Sequence, residues 1–126
     1  MTQTFSSKEA AVSFLNTVVS GKIREAYEKY VSPNMRHHNA YFKGDRQSLL
    51  VAMEEAHVKF PNKIFKVQRT FGDGDLIAVH SSMQLKADMG VISVVHMFRF
   101  ENGMIAEMWD VGQEAPKDMP NENGLF

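Results

Sequence analysis

The sequence predicts an α+β fold: a cone-shaped, strongly curved antiparallel sheet, with three N-terminal helices enclosing a pocket. Two observations predict it. Apolar residues recur with a helical period up to Phe60 and with a period of two from Lys63 onward. The stretch Val91 to Gln113, read as a hairpin, also puts His96 and Asp110 on one otherwise apolar face. An imidazole and a carboxylate are costly to bury without a partner, so the pair points to proton chemistry before it points to a core.

The elements follow in order. Ser6 and Glu9 form a capping box, and Ala11, Phe14, Leu15, Val18 and Val19 make one face of a first helix ending near Gly21. Ile23, Ala26, Tyr27, Tyr30 and Val31 repeat the pattern until Pro33 stops it. Met35 to Gly44 reads as an ordered loop containing His37, His38 and Asn39. Asp45 is the expected N-cap of a third helix carrying Leu49, Met53, Ala56, His57 and Phe60. Four strands follow: Lys63 to Phe71, Asp75 to Lys86, Val91 to Glu101 and Met104 to Gln113. Turns at Asp73-Gly74, Ala87 to Gly90 and Asn102-Gly103 separate them. The tail, Glu114 to Phe126, reads as irregular.

Composition bounds the function. A chain of 126 residues fits one domain with a single core. Fourteen basic and 15 acidic residues, with no run of either sign, disfavour nucleic acid and anionic membranes as partners. The polar start and the lack of a long apolar run lead to the expectation of a cytoplasmic protein. With no cysteine there is no disulfide and no thiolate chemistry. Nine Met and nine Phe suit either an adaptable core or a roomy apolar pocket. No phosphate loop, dinucleotide fingerprint or nucleophile elbow is present. Gly72 to Asp75 is a turn rather than a calcium loop, since the later Glu ligand is missing.

Strand register decides the site. A two-residue turn at Asn102-Gly103 would put His96 and Asp110 on opposite faces. A three-residue turn with a G1 bulge pairs Phe100 with Met104, which sets His96 opposite Met108 and diagonal to Asp110. The second register is preferred because it leaves Arg99, Ile105, Glu107 and Trp109 on the outer face. It also keeps Glu107 off the apolar side. A three-residue turn over Ala87 to Met89 would add His80 to the inner face, across from His96.

The ordered set His38-Asn39, Tyr41-Phe42, Gly44, Asp73-Gly74-Asp75-Leu76, Val79-His80-Ser81, Phe98 to Gly103, Glu107 to Val111 and Asn121 to Phe126 resembles the SnoaL-like polyketide cyclase family, within the nuclear transport factor two-like superfamily. The resemblance runs from about Tyr30 to the end. It implies a cone of curved sheet, often dimeric through its outer face. It further implies an aspartate on a late strand acting as general base in an intramolecular aldol closure, without metal or cofactor; Asp110 matches that position. Two departures stand out: His96 replaces an aspartate frequent in the family, and Ala40 replaces a proline.

The candidate catalytic residues are therefore Asp110 as base, His96 as its partner or as donor to an enolate, and His80 and His38 in support. Each also has a plain structural reading: a solvent carboxylate, a satisfied core histidine, a cross-strand partner and a loop residue. Asn39 is expected to tie down its own loop, and His37 and His57 are left as surface or helix residues. A metal site made of the three histidines and Asp110 is the weakest option, because spacing does not specify it. The expected ligand is a small hydrophobic carbonyl compound. The alternative to catalysis is a binding module using the same pocket. Trp109 and Ile105 on the outer face suggest a homodimer, with a tail-covered Trp109 as the other reading.

Overall fold

The computed structural model describes residues 6–126; the polar start, residues 1–5, lies outside them. Three helices, α1 (Ser7–Val19), α2 (Ile23–Tyr30) and α3 (Arg46–Lys59), cover one face of a five-stranded sheet. The strands are β1 (Val31–His37), β2 (Ile64–Asp73), β3 (Leu76–Gln84), β4 (Ile92–Glu101) and β5 (Met104–Glu114). Their spatial order is β1-β5-β4-β3-β2, with β1 parallel to β5 and the other pairs antiparallel. Both predicted caps form: Ser6 and Glu9 bond reciprocally, and Asp45 accepts the amide of Ser48. Among the described residues no helix is long and apolar enough to cross a membrane.

The sheet is mixed and not purely antiparallel, a departure from expectation, because a fifth strand, β1, runs parallel to β5. Helix α2 ends at Tyr30, and Val31 already has extended backbone. Pro33 bars helix for the residue before it, and a proline is tolerated on an edge strand where no ladder donor is needed. Val31 to His37 therefore run beside β5 rather than forming a loop. The core lies between the helices and the concave sheet face. Phe14 of α1 packs edge-on against Phe98 at 5.9 Å and against Tyr27 at 5.5 Å.

The β4–β5 connection corrects the expected register. Asn102 and Gly103 both have positive φ, 53° and 79°, and close a two-residue turn pairing Glu101 with Met104. That conformation suits Asn-Gly, since other residues resist a left-handed backbone. The strand then gains one residue: Phe100 pairs with Ile105, but Arg99 pairs with Glu107, leaving Ala106 as a bulge. The bulge restores the parity that a two-residue turn would have lost. As a result His96 pairs directly with Asp110 and Phe98 with Met108. Upstream of the bulge the sides reverse from expectation, so Ile105 is fully buried in the core and not part of an outer face.

Candidate active site

Direct opposition on neighbouring strands brings the β-carbons of His96 and Asp110 to about 4.5–5.5 Å. Both side chains border a cavity of about 220 Å³ under α1 and α3. Its walls are mainly apolar, with Phe14, Leu15, Met53, Phe65, Met83 and Met108 contributing. The methionines and phenylalanines thus serve both sequence readings, core filling and pocket lining. Asn39 reaches in from the loop after β1 and donates from Nδ2 to Asp110 Oδ2 at 3.1 Å. Its Oδ1 accepts the amide of Tyr41 at 3.0 Å. Asn39 does tie down its loop, as expected, and in the same pose it holds the carboxylate.

His96 stacks on Phe98 at 6.2 Å between ring centroids. What remains accessible of it borders the cavity, and its Nδ1 is buried without a hydrogen-bond partner. Burial pushes its pKa down to about 4, against the pull of the Asp110 charge, which favours protonation. The imidazole is therefore neutral at pH 7 and can donate one N–H into the cavity. The two residues form a carboxylate acceptor beside a neutral donor, not an ion pair.

The other expected site residues are placed differently. His80 pairs with Val95 while Val79 pairs with His96, so His80 projects from the convex face. The reason is loop length: Met83 pairs with Ile92, which makes the β3–β4 connection longer than the expected three-residue turn and shifts the parity by one. His80 contacts Arg69, bonds Ser93 Oγ at 2.7 Å and lies against Phe126 of the tail. His38 also lies outside the cavity. It bonds Glu107 Oε2 at 2.6 Å and stacks on Trp109 at 5.1 Å. His38 thus covers one face of Trp109, and Phe126 of the tail reaches His80. Glu107 also accepts from Arg99 Nε at 3.1 Å, and these hydrogen bonds, His38 foremost, hold its carboxyl below the usual range.

The histidine inside is His37, expected at the surface. It pairs with Met108, is buried, lines the cavity, and its Nε2 bonds the carbonyl of Lys43 at 2.6 Å. Once β1 is a strand, alternation sends His37 inward and His38 outward. Lys63, passed over in the sequence, also lines the cavity. With His80 and His38 outside, the three-histidine metal site does not assemble. Among the described residues no three His, Asp or Glu side chains are placed to hold an ion.

A curved sheet roofed by helices, with its polar pair facing an apolar hollow, is the α+β cone of NTF2-like proteins. Within that class the chain belongs to the SnoaL-like polyketide cyclase family, whose profile matches residues 9–117. It is 25% identical over 114 residues to a protein named "probable cyclase otaY" from Aspergillus niger, covering 89% of this chain and 96% of that one. Wild-type IdmH of Streptomyces antibioticus superposes with a TM-score of 0.68 at 17% identity, over 86% of this chain and 93% of the other. An NTF2-like protein of unknown function from Cytophaga hutchinsonii gives 0.71 at 13% identity, over 90% and 95%. At these identities the two structures speak to fold alone.

Neutral His96 makes stability depend on pH. Its folded-state pKa lies below the unfolded value, so the unfolded chain binds the proton more readily. Stability present above about pH 6.5 is then lost as pH falls toward 4. The loss should reach about 3 kcal/mol. Urea unfolding between pH 7 and pH 4 should show this slope in wild type and a flatter one in His96→Leu; parallel profiles would contradict the assignment.

Proposed function

We propose that the protein catalyses proton abstraction α to a carbonyl, with Asp110 as general base and His96 as hydrogen-bond donor to the enolate. The observation that carries this reading is the direct His96–Asp110 pairing on the wall of an apolar cavity. A carboxylate gains reach as a base where water is scarce, and a neutral imidazole stabilises a developing oxyanion without losing its proton. Asn39 fixes one oxygen of Asp110 and leaves the other without a hydrogen bond among the described residues. That oxygen is the one available to the substrate.

The steps balance within the site. Asp110 takes the α-proton, and the C–H electron pair becomes the enolate, whose oxygen accepts from His96. In an aldol closure the enolate carbon attacks a second carbonyl of the same molecule. The alkoxide so formed recovers a proton from the Asp110 carboxyl, regenerating the base. Isomerisation uses the same base and returns the proton to a different carbon. A cavity that only binds would show no such exchange.

The reading is tested with one-ring aryl methyl ketones in D₂O, following loss of the α-proton signal by NMR. Wild type should accelerate exchange, and Asp110→Asn should lower the enzymatic rate by about 10²–10⁴-fold while remaining folded. Unchanged exchange in that variant would reject Asp110 as base, and no acceleration by wild type would favour the binding module.

The convex face fits the second copy that the family resemblance implies: Trp109 lies there beside Met97, as expected, while Ile105 does not. Val95, Met97 and Val111 are neighbours there, and Val111 and Phe71 are more than half exposed. Such a strip is covered in a dimer. Light scattering should give twice the chain mass for wild type and the single-chain mass for Val111→Lys; a monomeric wild type would refute the pairing.

A further inference from the structure

Lys63 is a charged group that the proposed chemistry does not use. It enters β2 just after the end of α3, and among the described residues it is the one lysine or arginine bordering the cavity. Its Nζ donates to the carbonyl of Phe60 at 3.1 Å, which engages one of three ammonium protons. Among the described residues no aspartate or glutamate pairs with it. Partial burial disfavours its charged form. A lysine that shares the cavity wall with Phe65 and Met83, with no acidic side chain paired to it, offers a ligand anion a charged hydrogen-bond donor.

Position and size narrow the ligand. Lys63 lies on the β2 side of the cavity, two strands across from His96 and three from Asp110. A bound molecule can therefore present a carbonyl to that pair and an anionic group to the opposite wall. A cavity of about 150 Å³ takes a benzene-sized molecule. The space here, about 220 Å³, holds one ring with short substituents. The geometry points to Lys63 as the carboxylate-recognising residue of this cavity, its ligand a compact ketone of single-ring size bearing one carboxylate. The inference rests on the proposed function in taking this cavity as the ligand site and in taking its His96–Asp110 wall as the side that meets the carbonyl.

The test is equilibrium binding of 4-acetylbenzoate and of its neutral counterpart 4-acetylbenzamide, read by titration of the Met53 and Met83 methyl signals. Wild type should prefer the acid by about tenfold or more, the scale of a hydrogen bond to a charged group. Lys63→Met should erase that preference, and Lys63→Arg should retain most of it, which separates charge from any packing defect. Asp110→Asn should keep or strengthen the preference for the acid, because it removes a like charge from the opposite wall, so a failed proton-exchange assay and a failed anion preference are separate outcomes. Equal affinities in wild type, a preference that survives in Lys63→Met, or no saturable binding of either probe would overturn the proposal.

Discussion

Alternation along β5 is the constraint on which the site depends. Side chains of a strand face opposite sides in turn, so one residue more or less between the hairpin and Asp110 would move the carboxylate to the other face. The tight Asn102-Gly103 turn alone gives the wrong parity, and the extra residue at Ala106 corrects it. The competing arrangement would bury Glu107 opposite Phe98 and turn Asp110 outward. As folded, Glu107 has His38, Arg36 and Arg99 as partners on the convex side, while Asp110 has Asn39. Each carboxylate therefore sits where hydrogen-bond donors meet it, and burying either without them would cost several kcal/mol.

The electrostatics of the cavity follow from that placement. Apolar walls drive His96 to its neutral form, even with a carboxylate opposite. Neutrality suits it to donate to an oxygen that becomes negative only during reaction, because no charge must be desolvated beforehand. On the opposite wall, partly buried Lys63 has no acidic partner among the described residues and is the group that the proposed ligand anion would meet. Under the proposed function, a small hollow with a carboxylate and a neutral imidazole on one side and a lysine on the other would select ligands by size and polarity together.

Most of the architecture could be read from the sequence, because helix caps, apolar periods and Asn-Gly turns are local signals. The Ser6 and Asp45 caps, the three helices and four of the strands formed within a few residues of expectation. Strand β1 could not be read, since Pro33 speaks against a strand until one knows it lies at a sheet edge beside β5. The site was half legible. The sequence places His96 and Asp110 on one face through a three-residue turn that sets them diagonal, whereas the chain pairs them directly through a two-residue turn plus a bulge, and no local residue announces a bulge at Ala106. His80 and His37 each differ from expectation by a single-residue parity, set for His80 by the length of the β3–β4 connection and for His37 by strand β1. Asn39 and Lys63 are brought to the cavity by tertiary packing alone.

The coupling of His96 to Asp110 is open to one direct measurement. Nitrogen-15 NMR of the imidazole, followed from pH 8 to pH 3.5 in wild type and in Asp110→Asn, reports both burial and proximity. The account predicts a neutral His96 ring through pH 5 in wild type, and a pKa driven lower still once the neighbouring charge is removed. A ring titrating near 6.5, or one indifferent to the loss of Asp110, would mean that the two side chains do not share the cavity.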